Sequence, residues 1–117
     1  MLSLAVYKVA HILGVLLVFV GFGAALGGGS RTKLASASHG IGLLIVLIAG
    51  FGALARLGIY GPGSWPLWIW LKLVIWLLLG AAMTVAKRAP GAAKALWWAL
   101  PVLGAAAAYL AIYKPGA

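Results

Sequence analysis

Four times along this chain the side chains stay apolar for about 18 to 23 residues, the length needed to cross a bilayer. The runs are residues 4–26, 38–59, 65–86 and 96–113. Coiled into helices with a rise of about 1.5 Å per residue, each spans the ~30 Å hydrocarbon core. Composition closes off the alternative. Of 117 residues, 66% are hydrophobic and 8% charged, whereas a soluble domain carries roughly 25% charged residues to cover its surface. The expected fold is therefore all-α, an integral membrane four-helix bundle forming one transmembrane domain over residues 1–117. Short connections at 27–33, 60–64 and 87–91 make successive helices antiparallel, giving an up-down-up-down order.

Local punctuation refines this reading. Residues 27–33 read as a flexible polar loop. Ser64 is the expected N-cap of the third helix, with Pro66 in its first turn. Lys8 and His11 interrupt the first run, which reads as a retained span rather than a cleaved leader.

The sequence contains no Asp, no Glu and no Cys. That excludes paired-carboxylate catalysis, Ser-His-Asp triads and metal sites built on carboxylates or thiolates. The net charge of +9 is spread thinly between apolar runs, so no nucleic-acid footprint is visible. Arg31, Lys33, Lys87, Arg88 and Lys94 fall on the side of the first and third connections. Lys8, Arg56 and Lys114 fall on the other. This bias places the first and third connections in the cytoplasm and both termini outside, in a bacterial inner membrane. Trp65, Trp68 and Trp70 would then form an outer aromatic belt, with Trp97 and Trp98 in an inner one.

Small residues supply the means of helix association in lipid. Gly14, Gly21 and Ala25 share one face of the first helix, and Gly42, Ala49, Gly52 and Ala53 one face of the second. Gly80 sits in the third helix, and Gly104 with residues 105–108 in the fourth. Helix packing is the ordinary use; a sharper reading has Gly14 and Gly21 clearing room for a flat ligand.

Ionisable groups inside spans usually mark a functional interior. In an up-down bundle His11 and Lys72, each about two turns into parallel helices, share the outer half of the membrane. Arg56 and Lys8 reach the same layer. A layer of cations with an imidazole and no acid suits an anion or a metal-bearing cofactor, and haem b answers to both. His11 would ligate iron, Lys72 would be either a second ligand, neutral through burial, or an anion partner, and Arg56, Lys8 or Lys72 would pair with the propionates. Tyr7, Trp68 and Trp76 would line the porphyrin, beside Gly14. Alternatively, Lys8 and Arg56 snorkel and His11 only hydrogen-bonds a neighbour. His39, after Ser36 and Ser38, reads as part of a helix start. It lies about 15 to 20 Å along the axis from His11, so the two do not share one haem; a separate cofactor site at His39 is left open.

The stretch Tyr7-Lys8-Val9-Ala10-His11-Ile12-Leu13-Gly14 and the Trp70-Leu71-Lys72-Leu73 segment resemble the first and third helices of small haem-associated membrane families. These are the HemJ-type protoporphyrinogen oxidases, the CopD copper-resistance family and SirB-like proteins. The resemblance implies a functional His11–Lys72 pair, haem b and redox or electron-transfer work. An oxidase would also need a proton path, for which the sequence offers no acid. Copper ligands are few, with Met1 and Met83 the only thioethers. Two other readings stand beside haem binding: an accessory subunit of a respiratory or photosynthetic membrane complex, and a quinone-binding module. The bilayer is the expected partner, with other subunits or a homo-oligomer as further candidates.

Overall fold

The structure, a computed structural model, describes residues 2–26, 32–59 and 61–114. Its elements are α1 (Leu4–Leu26), α2 (Thr32–Arg56), α3 (Leu67–Arg88) and α4 (Ala93–Tyr113). There is no strand among the described residues. All four helices are long and apolar enough to cross a membrane. Large aliphatic side chains stay exposed on each of them, among them Val9, Ile48, Leu77 and Val102. Such a surface is costly in water and ordinary in lipid. The chain is all-α, with four spans, as a multi-pass membrane protein.

The spans divide into two compact units, residues 1–64 and 65–117, each a helical hairpin. In the first, His11 meets Val46 while His39 meets Val18. Residue numbers rise on one helix as they fall on the other, so α1 and α2 are antiparallel. Gly14, Val18, Gly21 and Phe22 are the buried positions of α1. Their three- and four-residue spacing forms one stripe on a helix. Ala35, His39, Gly42 and Ala49 form the matching stripe on α2.

In the second hairpin, Trp68, Ile69, Ile75, Ala82 and Met83 of α3 are buried, as are Leu100 and Leu110 of α4. Lys114, just past the end of α4, lies against Trp68 near the start of α3. These helices are antiparallel too.

Several boundaries differ from the sequence expectation, each for a local reason. α2 begins at Thr32, so Thr32 and Lys33 are helical; residues 27–31 of the expected loop lie outside the described residues. Ser64 does not cap α3. It closes a short 3-10 turn over Pro62–Ser64, its hydroxyl donating to the Gly61 carbonyl at 3.0 Å. Pro66 takes the cap position in extended backbone (φ −69°, ψ 166°). Lys87 and Arg88 belong to the last turn of α3 rather than to a loop, where positive charge complements the helix dipole. The helix stops at Ala89, because a residue before proline is driven out of the α region.

A candidate functional site built on two carbonyl-anchored histidines

The contact between α1 and α2 is made by backbone. A Cβ added at Gly14 would lie 2.8 Å from the Val46 nitrogen and 2.9 Å from the Gly42 carbonyl oxygen. One added at Gly42 would lie 2.7 Å from the Gly14 oxygen and 2.7 Å from the Val18 nitrogen. At Gly21 it would meet the Ala35 oxygen and the His39 nitrogen, both at 2.6 Å. The space beside Gly14 and Gly21 is thus filled by α2 and is not room for a flat ligand. Two helices in lipid gain from such close approach through dispersion contacts.

Around this crossing the two helices carry the same pattern. His11, Gly14 and Val18 recur as His39, Gly42 and Val46, each 28 positions later (39 − 11, 42 − 14, 46 − 18). The contacts are reciprocal as well. The His11 ring donates from Nδ1 to the Val46 carbonyl at 2.9 Å, and the His39 ring donates from Nδ1 to the Val18 carbonyl at 3.0 Å. A pseudo-two-fold axis therefore runs between Gly14 and Gly42, near the middle of both helices. It makes the hairpin an inverted repeat, a symmetry that membrane folds use with the axis lying in the bilayer plane. The signal is present in the sequence as two copies of His-x-x-Gly-x-x-x-Val; reading each helix alone misses it.

This geometry corrects the placement of His39. It is not part of a helix start; it lies seven residues into α2, is 3% exposed, and braces α1. Since His11 stands level with Val46, seven residues from His39, the two rings are about 10 Å apart along the axis at 1.5 Å per residue, rather than 15 to 20 Å. They remain too far apart to hold one metal ion between them.

A carbonyl oxygen can only accept, so both rings carry their proton on Nδ1 and, when neutral, their lone pair on Nε2. This is the form in which histidine binds metals, with the other nitrogen oriented by a backbone carbonyl.

The repeat breaks at one informative place. Four residues beyond Val18 stands Phe22, which is buried with its ring centroid 5.9 Å from that of His39. Four residues beyond Val46 stands Gly50. A Cβ there would lie 3.4 Å from His11 Cε1, so glycine puts no side chain across that flank. His39 is consequently buried and His11 half-buried.

Tyr7, one turn before His11, packs its ring onto Gly52. Arg56 is one turn further along α2 and exposed; Lys8 is exposed on the opening turns of α1. Tyr7, Lys8, His11 and Arg56 therefore occupy one end of the first hairpin, while Gly14 belongs to the helix crossing. Lys72 and Trp76 are half-buried on α3, in the second hairpin. There, Trp68 is not a belt residue facing the interface. It is 6% exposed, with the Lys72 and Lys114 ammonium groups 5.9 and 5.8 Å from its ring centroid. Trp70, Trp97 and Trp98 are the exposed tryptophans.

No group of three or more His, Cys, Asp or Glu side chains gathers among the described residues. No protein-family model, curated protein or solved structure matches the chain.

Proposed function

We propose that this chain is a small multi-pass membrane protein that binds haem b through His11 and serves redox or electron transfer. One observation carries the reading. A carbonyl-anchored imidazole is built twice on one pattern, and only at His11 does the repeat replace the covering Phe22 by a glycine, Gly50.

The residues present suit the group. His11 offers the Nε2 lone pair in a fixed orientation. Tyr7 stacks an aromatic wall one turn away, against Gly52. Lys8 and Arg56 supply positive charge at the same end of the hairpin, where carboxylates inside lipid require it. Bound haem would supply one-electron exchange; the protein's part is to orient the ligand nitrogen and neutralise the propionates. With no side-chain acid in the sequence, proton-coupled oxidation of a substrate is the less supported branch of the resemblance.

The test is an absorption spectrum of the detergent-purified chain, oxidised and reduced, from cells supplied with a haem precursor. A Soret band is expected in the wild type and in His39→Ala, and its loss in His11→Ala. A colourless wild type that also fails to take up added haem defeats the proposal, as does an unchanged spectrum in His11→Ala. Within the same reading, the Lys and Arg bias orients the first and third connections to the cytoplasm of a bacterial inner membrane.

A further inference from the structure

The second hairpin gathers positive charge, and the sequence has no Asp or Glu side chain to match it. Lys72 lies one and a half turns into α3, and Lys114 is the residue that ends α4. Both ammonium groups stand within 6 Å of the ring of Trp68, at 5.9 and 5.8 Å, the range of a cation–π contact. Two like charges held on one ring repel, and the sequence contains no Asp or Glu side chain to relieve them. Lys114 is also held in a backbone conformation that glycine normally takes. Its φ is 50° and ψ 58°, and its N–H donates to the Leu110 carbonyl at 2.9 Å. Chain ends that need such a residue use Gly or Asn at small cost; here a lysine takes it and reaches Trp68.

The surroundings say what kind of anion would relieve this pair. Leu67, Leu71, Ile112 and Tyr113 present apolar surface at the same end of the hairpin. A phosphate placed between two ammonium groups, with hydrocarbon running along exposed leucine and isoleucine, describes a lipid and not a soluble ion. We infer that Lys72 and Lys114, paired over Trp68, seat the phosphate of one anionic phospholipid at the end of the α3–α4 hairpin. The inference is independent of haem binding, which rests on the other hairpin.

The experiment is native mass spectrometry of the full-length chain in detergent. The probes are phosphatidylglycerol, phosphatidylcholine and inorganic phosphate. One phosphatidylglycerol should be retained in preference to phosphatidylcholine. Lys72→Gln and Lys114→Gln should each weaken it about fivefold, and the double variant about twenty-five-fold, from the usual contribution of one basic residue at an anionic membrane surface. Lys94→Gln, at the far end of the hairpin, should leave it unchanged, and Lys72→Arg with Lys114→Arg should restore it. Far-UV circular dichroism of each variant reports that the helices persist. Equal retention of the two lipids overturns the inference, and so does a double glutamine variant that binds like Lys94→Gln. Displacement of the lipid by inorganic phosphate at equal concentration would overturn the assignment to a lipid in favour of a free anion.

Discussion

Adding one methyl group at Gly42 should loosen the first hairpin more than its size suggests. The new Cβ would sit 2.7 Å from both the Gly14 oxygen and the Val18 nitrogen, where ordinary contact begins at 3.4 Å, so α1 and α2 must part by about 0.7 Å. Both obstacles are backbone atoms and cannot rotate aside. The same separation would stretch the two histidine bonds from 2.9 and 3.0 Å to about 3.6 and 3.7 Å, beyond useful hydrogen-bonding distance. Overpacking costs about 1 to 3 kcal/mol, and each interhelical bond lost in a membrane about 0.6 kcal/mol. Helix propensity returns up to about 1 kcal/mol for Gly→Ala. The net expectation for Gly42→Ala is a loss of about 1 to 3 kcal/mol. Gly40 provides the control: it is two residues away on the same helix, with nothing within 4 Å of its would-be Cβ. Gly40→Ala should be neutral or stabilising by up to about 1 kcal/mol. The assay is unfolding in mixed micelles on titration with dodecyl sulfate, followed by far-UV circular dichroism and by amide hydrogen exchange of α1 and α2. Tryptophan fluorescence would miss the effect, because all six tryptophans lie between residues 65 and 98. If Gly42→Ala proves as stable as Gly40→Ala, the helices are not in backbone contact at this crossing and the argument from close approach fails.

Other substitutions separate the two histidines. His39→Ala should destabilise the hairpin by roughly 2 to 4 kcal/mol, since it removes a brace and leaves a cavity. His11→Ala, at a half-buried position, should cost about 1 kcal/mol or less, close to the bond alone, in the same micelle titration. Gly50→Phe copies the Phe22 ring onto the His11 side of the repeat; it should suppress the Soret band while His11 and the helical circular dichroism are retained, and an undiminished band would refute the role given to Gly50. Because the sequence has no cysteine, single cysteines at Ser64 and Ala89 report orientation cleanly. In intact cells an impermeant maleimide should label Ser64→Cys and not Ala89→Cys, and the reverse pattern would invert the topology.

The sequence alone was enough for the coarse architecture. Four runs such as residues 4–26 have one solution in lipid, because backbone N–H and C=O groups without water must pair within their own segment. The bound at Leu4–Leu26 follows directly, and so does the packing face through Gly14 and Gly21; Ala25 on that face is only half-buried, and Val18 and Phe22 join it only in the structure. The start of α2 was not legible: Thr32 and Lys33 look like loop residues, yet nothing in them forbids a helix, and polar residues at a membrane surface carry little hydropathy signal. The role of His39 was equally hidden. Whether a histidine braces a neighbour or faces a ligand depends on what lies across the interface, and sequence position does not encode the partner helix. Only tertiary contact brought Val46 to His11, Phe22 over His39 and Gly50 beside His11. It alone brought Lys114, 42 residues on in the chain (114 − 72), to the same indole as Lys72. Hydropathy decides that a helix enters the bilayer; the rotation of each helix about its axis, set by where glycine lets backbones touch, decides which side chains meet.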